Sequence, residues 1–139
     1  MERESQLLPS YSQSWKRLIV AGVLFCVVGC SSSSTRPDLV PVKGRVTLDG
    51  QPLKQALIVF RSETGGRGSR SITDSNGNFE LNYLREIKGA QPGKNTVIIT
   101  TATEGQPVER VPSKYNKEST LIVDVPESNG TFDFDLSSK

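Results

Sequence analysis

The thiol of Cys30 has the sequence surroundings that predict the most definite chemistry in this chain. A basic pair, Lys16-Arg17, precedes an apolar run of eleven residues, 18–28, and Gly29 then stands directly before the cysteine. At about 1.5 Å per residue, such a run makes a helix far shorter than the roughly 20 residues needed to cross a bilayer. A basic segment, a short apolar segment and a small residue before a cut site are typical of a secretory signal peptide. We therefore predict a signal peptide over residues 1–29, cut between Gly29 and Cys30.

The residues around the cut, Val27-Val28-Gly29-Cys30, resemble the lipobox of bacterial lipoproteins. The resemblance implies that Cys30 becomes the first residue of the mature protein and carries a diacylglycerol on its sulfur, with further acylation (palmitate among the acyl chains) at the new N-terminus. Membrane lipid is then the expected partner and the cell envelope the expected location, in an outer membrane or a periplasm-facing membrane, with the leaflet left open. A plain cut after Gly29, which releases a soluble secreted protein, is the alternative.

Asp133 and Asp135 are the paired carboxylates nearest to an acid–base or metal arrangement. Two residues apart in a strand, they lie on one face about 7 Å from each other. Such a pair serves acid–base or metal chemistry, or it keeps an exposed strand soluble and discourages edge pairing. No sequence feature near them identifies a nucleophile or a cleft. We therefore assign no catalytic residue and predict that the chain is not an enzyme.

Two loops resemble ligand-binding motifs and are predicted to be turns. A calcium loop of the EF-hand type starting at Asp74 needs glycine at its sixth position and glutamate at its twelfth, where Phe79 and Arg85 stand. We predict a hairpin turn there instead. The segment 89–94 lacks the glycine spacing of a phosphate-binding loop, and Asn95 follows its lysine where serine or threonine is required. This segment is predicted to be a turn before a strand.

Tyr115, flanked by Lys114 and Asn116, is the candidate contact for a ligand or partner. It lies in a polar stretch, 104–118, and an exposed tyrosine ring there offers a platform for a sugar or a protein. The alternative is that the ring holds its own loop against the domain.

Composition excludes several function classes. Histidine is absent, which rules out imidazole zinc sites and Ser-His-Asp triads. The two cysteines, Cys26 and Cys30, both precede the predicted domain, so that domain has no disulfide. The formal charge of +2 falls to +1 when residues 1–29, with three basic and two acidic residues, are removed. This balance argues against nucleic-acid binding. We predict neither a metal nor another cofactor.

The residues after Cys30 divide into a tether and one domain. Residues 31–38 contain no apolar side chain to bury, which predicts that 30–39 form a flexible tether. Ten residues of extended chain, 31–40, span at most about 35 Å. The remainder, 40–139, is long enough for one domain.

Apolar and polar residues alternate with a period of two through most of 40–139, which is typical of strands with one buried face. Asp49-Gly50 predicts a hairpin turn, and 56–60 is apolar on both faces, as in a central strand. About seven short strands separated by glycine and proline turns predict an all-β antiparallel sandwich. The predicted inward residues are Val42, Val46, Leu48, Ile58, Phe60, Phe79, Leu81, Val97, Ile99, Leu121, Val123, Phe132 and Phe134.

Three stretches resemble the carboxypeptidase-regulatory-like domain: residues 42–60, the turn 73–79 and the turn 89–94. The segment 112–116, with Leu121 and the segment 132–136, is similar to small bacterial lipoproteins built on that domain. The resemblance implies a transthyretin-like, Ig-like β-sandwich. Enzymatic relatives of transthyretin use histidines and a C-terminal tyrosine motif, both missing here, so the resemblance carries no enzymatic activity.

Together these features predict a membrane-anchored, non-catalytic lipoprotein that acts as a structural or protein-interaction module of the cell envelope. Its expected partners beyond lipid are an envelope protein or a glycan. A carbohydrate- or small-ligand-binding module is the alternative.

Overall fold

Strands that alternate inward apolar and outward polar residues form two facing sheets in the computed structural model, which describes residues 37–139. The predictions for residues 1–29, for Cys30 and for most of the tether lie outside the described residues. The strands, in chain order, are β1 (Val42–Leu48), β2 (Gln51–Pro52), β3 (Leu57–Ser62), β4 (Ser69–Ile72), β5 (Asn78–Glu80), β6 (Asn82–Leu84), β7 (Ile87–Lys88), β8 (Gly93–Thr100), β9 (Ile122–Val125) and β10 (Gly130–Leu136). A 3₁₀ turn, η1 (Ser113–Tyr115), lies between β8 and β9.

The two sheets differ in size and in pairing. The first has four strands in which β1 is flanked by β10 on one side, while β2 and β5 pair with different parts of β1. The second has six strands in the order β7-β6-β4-β3-β8-β9, all antiparallel neighbours. The strand predicted to be central, now β3, lies between β4 and β8. In the part of the chain that the structure describes, no helix is long and apolar enough to span a membrane.

The first and last strands, β1 and β10, run parallel along all seven residues of β1, from Val42 opposite Gly130 to Leu48 opposite Leu136. The prediction of a purely antiparallel sandwich is wrong at this pair. Parallel neighbours need a long crossover connection, and here the whole six-stranded sheet separates the two strands in sequence. Local patterns do not reveal such a pairing.

Four phenylalanines form the centre of the core between the sheets. Phe60 of the six-stranded sheet faces Phe79, Phe132 and Phe134 of the four-stranded sheet, with ring centroids 5.7–6.4 Å away. Edge and tilted geometries at these distances are the favoured ones for aromatic pairs. Of the predicted core, nine residues are buried, and Leu48, Leu121, Val123 and Phe132 pack against it while partly exposed. Apolar residues that the prediction missed are also buried: Val40, Leu53, Ala56, Ala90, Val111, Val125 and Leu136.

Residues 37–139 form ten strands rather than the seven predicted, because the chain changes sheets within runs of continuous alternation. Phe79, Leu81 and Tyr83 resemble one strand in the sequence, yet β5 belongs to the first sheet and β6 to the second. The corner is Leu81, which is fully buried. Its N–H donates to the carbonyl of Val42 at 2.9 Å, and its carbonyl accepts the N–H of Gly89 at 2.8 Å. One residue therefore ties both sheets together.

The two predicted turns have different roles. Asp49 and Gly50 have φ values of 51° and 79° and connect β1 to β2, which confirms the hairpin. The turn that begins at Asp74 joins β4 to β5, which lie in different sheets. It is therefore a crossing between sheets rather than a hairpin. A turn can be predicted from neighbouring residues in the sequence. The sheet that the following strand joins depends instead on strands that are distant in the sequence.

Candidate functional site

The residues predicted to contact a ligand or partner, Lys114, Tyr115 and Asn116, lie in and directly after η1. Tyr115 is half-buried against the core, and its hydroxyl accepts the N–H of Ser137 at 3.3 Å. Lys114 donates its Nζ to the carbonyl of Lys139 at 2.5 Å and lies 5.1 Å from the Tyr115 ring centroid. These contacts hold the C-terminal residues and η1 together.

Asn116, the third residue of that region, stabilises its own loop. Its Nδ2 donates to the carbonyls of Val111 and Pro112 at 3.0 and 3.2 Å, and its Oδ1 accepts the N–H of Lys117 at 2.6 Å. The geometry matches the alternative in which Tyr115 and its neighbours hold the loop against the domain. A ligand or partner contact at Lys114, Tyr115 and Asn116 stays a prediction.

The most heavily hydrogen-bonded carboxylate is Glu109, which the sequence did not single out. It accepts the backbone N–H groups of Thr101 and Val111, each at 2.9 Å, and the hydroxyls of Thr100 and Thr101. Partial burial favours the protonated form, but these hydrogen bonds outweigh it and lower the pKa of Glu109 from 4.5 to about 2. Glu109 is therefore ionised, and its hydrogen bonds hold the segment that follows β8 against the end of that strand. Both carboxylate oxygens already accept hydrogen bonds from the protein.

Asp74 is a second carboxylate with a structural task. Its Oδ1 accepts the N–H groups of Asn76 and Asn78 at 2.8 and 2.9 Å, and its Oδ2 accepts Nδ2 of Asn78 at 3.3 Å. The bond from the Asn78 N–H is the main reason that the pKa of Asp74 lies below its usual value. The carboxylate thus closes a turn of the Asx type, which agrees with the turn prediction and not with a calcium loop.

Asp133 and Asp135 both point outward from β10, as their spacing predicts. Asp133 lies opposite Arg45 in the neighbouring strand, and Asp135 accepts the Thr47 hydroxyl at 2.6 Å. Each acid therefore has a polar cross-strand neighbour. Among residues 37–139, no group of three or more acidic, cysteine or histidine side chains is arranged to hold a metal ion.

The segment 89–94 is a turn held by the residue after it. Asn95 is buried, and its Nδ2 donates to the carbonyls of Gln91 and Gly93 at 3.0 and 2.8 Å. Ala90 pairs with Val40 through two backbone hydrogen bonds of 2.9 and 3.0 Å. The segment therefore receives the beginning of the domain and leads into β8, as the turn prediction requires.

A shallow depression of about 220 Å³ lies at one end of the four-stranded sheet. Its lining includes Lys43 and Glu80, and Glu80 forms a 2.7 Å ion pair with Lys88. Both side chains of the ion pair are exposed, and exposed ion pairs contribute little to the free energy of unfolding. The depression carries no convergent set of polar groups that indicates a ligand.

The outer faces of the two sheets differ strongly, and sequence reasoning missed this contrast. The four-stranded sheet presents Lys43, Arg45, Thr47, Asn78, Glu80, Thr131, Asp133 and Asp135. The six-stranded sheet presents a row of apolar residues that we call the outer stripe: Leu57, Val59, Ile72, Ile98 and Ile122. The sequence did indicate an apolar outer face in the segment 56–60, because its successive residues are all apolar and so lie on both faces of the strand.

No protein-family model matches this sequence, and no curated protein matches it. Among solved structures, the fold is similar to that of a DUF3823 family protein from Parabacteroides merdae ATCC 43184, with 14% identity and a TM-score of 0.45. That match covers 73% of this chain and 47% of the other. A 9R-lipoxygenase from Cyanothece PCC8801 is similar at 20% identity and a TM-score of 0.37, over 91% of this chain and 20% of that one.

A third similar structure is the dioxygenase domain of a dioxygenase carbohydrate-binding protein fusion from Streptomyces sp. SirexAA-E. It has 21% identity and a TM-score of 0.37, and the match covers 76% of this chain and 84% of that domain. This chain thus spans less than half of the DUF3823 protein and a fifth of the lipoxygenase.

Proposed function

We propose that this protein is a lipid-anchored lipoprotein of the bacterial cell envelope. In this proposal a carboxypeptidase-regulatory-like, transthyretin-like sandwich acts as a non-catalytic structural or protein-interaction module. The observation that carries the proposal is Cys30 at the end of a basic and then apolar segment, directly after Val27-Val28-Gly29. An acyl chain contributes about 0.8 kcal/mol per buried methylene, so two or three chains make a durable anchor.

The position of Val40 supports the role of the intervening segment as a tether. Val40 is buried and pairs with Ala90, so the domain receives the chain ten residues after Cys30. At most about 35 Å then separates the lipid-bearing residue from the edge of the sandwich. The lipid thereby confines the domain to a layer next to the membrane.

The polar groups of the sandwich support a non-catalytic role. Glu109 and Asp74 are occupied by backbone N–H groups, and the hydroxyl of Thr73 bridges Leu53 and Ala56. A general base needs a free lone pair within reach of a substrate proton. These groups instead direct their lone pairs and protons at the protein's own backbone.

The test is metabolic labelling of the full chain with a palmitate analogue, followed by mass spectrometry of the mature N-terminus. The Cys30→Ser variant is expected to lose the label, whereas Cys26→Ser, which changes the other cysteine, is expected to keep it. Label that persists in Cys30→Ser contradicts the proposal. An unacylated mature N-terminus at Cys30 contradicts it as well and favours the soluble secreted form.

A further inference from the structure

The outer stripe is a continuous apolar surface rather than a set of scattered residues. Leu57 lies directly opposite Ile72 on β4, and Val59 lies directly opposite Ile98 on β8. Ile122 lies opposite Thr96, one diagonal step from Ile98. Opposite and diagonal neighbours in antiparallel sheets have side chains within contact range. The stripe therefore crosses four adjacent strands, β4, β3, β8 and β9.

The ends of the stripe are the most exposed. Ile72 is 63% exposed and Ile122 is 54% exposed, among the largest values for apolar residues in the described chain. Leu57, Val59 and Ile98 between them are partly buried. Contiguous exposed apolar surface on a soluble domain marks an interaction site. On the opposite sheet, the outward side chains of β1, β5 and β10 are charged or polar, so an exposed sheet face of this domain does not need an apolar row.

Basic residues flank the stripe on the same face. Arg70 lies directly opposite Val59, and Arg61 lies opposite Thr96, next to the Ile122 end. Both arginines are exposed. The strands also carry Lys94 and Asp124 outward, and these two lie opposite each other in the register. Glu109, whose carboxylate accepts the hydroxyl of Thr100 opposite Leu57, places one acidic group at the Leu57 end of the row. The positive charge is therefore local and lies with Arg70 and Arg61, beside Val59 and the Ile122 end.

The apolar row and its flanking arginines distinguish between two possible partners for this face, a second copy of the chain and an anionic lipid surface. A two-fold pairing of two copies through the stripe brings the arginines of both copies into one apolar interface, where like charges repel and desolvation is costly. An anionic lipid surface supplies phosphate groups for the arginines and an apolar layer for the aliphatic side chains. The stripe with its flanking charges fits the lipid surface.

The chain entry point agrees with this placement. Val40 pairs with Ala90, which lies two residues after the end of β7, the edge strand of the same six-stranded sheet. A sheet of six strands is about 24 Å wide at about 4.8 Å per strand, so a tether with a limit of about 35 Å does not prevent this face from lying on the bilayer.

Resting on the proposed anchor at Cys30, we propose that the outer stripe, with Arg61 and Arg70, docks the sandwich on an anionic lipid surface. The lipid then holds the domain near the membrane, and the stripe sets its orientation. The outward polar side chains of the four-stranded sheet and its edge strand β10 consequently face away from the membrane, toward other envelope components.

The test uses tryptophan as a depth probe in the full chain purified from membranes and placed in vesicles. Trp15 is the only tryptophan and lies in the predicted signal peptide, and Trp15→Phe keeps the background free of tryptophan if that segment is retained. Ile122→Trp then places a single tryptophan on the stripe. The matched control is Thr131→Trp, on the edge strand β10 and the outer face of the other sheet. The vesicles contain phosphatidylcholine with brominated acyl chains, with and without phosphatidylglycerol, and tryptophan quenching is measured.

We expect quenching at Ile122→Trp in the vesicles with phosphatidylglycerol and none at Thr131→Trp. Adding Arg61→Gln and Arg70→Gln is expected to weaken docking about thirtyfold, since each basic residue near an anionic surface contributes about 1 kcal/mol. If Ile122→Trp does not fold, Ile72→Trp at the other end of the stripe replaces it.

Equal quenching of both tryptophans, or none at Ile122→Trp, overturns the proposal. Shielding of Ile122→Trp from aqueous acrylamide before vesicles are added, increasing with protein concentration, assigns the stripe to a second copy and also overturns it. The palmitate label at Cys30 reports on the anchor independently. Loss of the anchor proposal is therefore distinguishable from loss of the docking proposal, because excess vesicles measure stripe binding without an anchor.

Discussion

Glu109 and Thr101 are joined by two hydrogen bonds, in which one carboxylate oxygen of Glu109 accepts both the backbone N–H of Thr101 at 2.9 Å and its hydroxyl at 2.8 Å. The Thr101 hydroxyl in turn accepts the N–H of Arg110 at 2.7 Å. Through this pair, the segment after β8 folds back on the end of the strand without pairing as a regular sheet. The buried Val111 anchors the same segment in the core.

Glu109→Gln is expected to lower the free energy of unfolding by about 1 kcal/mol at neutral pH, after allowance for solvent screening of a largely exposed group. The folded-state pKa of about 2 lies below the ordinary 4.5. The stabilisation by the carboxylate is therefore fully present above pH 4.5 and is lost as the pH falls toward 2. Urea unfolding at several pH values measures this.

The control for that experiment is Glu127→Gln, an exposed glutamate in the turn before β10. Its stability is expected to track that of the unmodified protein at every pH. A constant difference between Glu109→Gln and the unmodified protein from neutral pH down to pH 2 contradicts the assigned role of the Glu109 charge.

Gly44→Ala is expected to destabilise the sandwich by at least about 3 kcal/mol. A Cβ atom at position 44 would lie 1.7 Å from the carbonyl oxygen of Phe132 and 2.9 Å from the Phe79 ring. The β1–β10 pair and the aromatic core would have to separate to admit it. Gly105→Ala, where no atom lies within 4 Å, is the matched control and should be close to neutral in thermal unfolding.

Thr73→Val is expected to cost about 2 kcal/mol, because it removes a buried hydroxyl while keeping the shape of the side chain. That hydroxyl donates to the carbonyl of Leu53 at 2.6 Å and accepts the N–H of Ala56 at 2.9 Å. Thr73→Ser keeps both bonds and loses one methyl group, so it should cost about 1 kcal/mol. The reverse order in chemical denaturation refutes the hydrogen-bond explanation and leaves methyl packing as the cause.

Tyr115→Ala is expected to destabilise the domain by about 2 kcal/mol, since the half-buried ring packs on the core and braces the C-terminal residues. Tyr115→Phe keeps the packing and should retain most of that stability. The same variants address the carbohydrate-binding alternative. A glycan-induced rise of the thermal midpoint that Tyr115→Ala abolishes would favour ligand contact at this residue over a purely structural role.

Local chemistry in the sequence is sufficient for the elements that depend on neighbours along the chain. Asp49-Gly50 turns because its two residues accept positive φ and join adjacent strands, and Asp74 closes a turn with N–H groups two and four residues away. The alternation of apolar residues predicts most of the buried face for the same reason. A side chain's direction in a strand follows from its position alone.

The features that the sequence did not predict depend on contacts between residues far apart in the chain. Leu81 belongs to a continuous alternating pattern, and only its hydrogen bonds to Val42 and Gly89 divide that pattern between two sheets. The parallel neighbour of β1 comes from the far end of the chain. Glu109 is one glutamate among several in a polar stretch until packing brings the N–H groups of Thr101 and Val111 to its oxygens.

The sequence by itself determined the β content and most of the inward residues, because both depend on residue types at short spacing, and for the same reason it predicts the lipid chemistry of Cys30. Only the tertiary structure decided which strands share a sheet and which carboxylates hold loop segments through hydrogen bonds. It also decided that the second apolar face of 56–60 lies on the outside, in the outer stripe. The physical reason is that sheet membership and surface continuity depend on residues far apart in the chain, which meet only after folding.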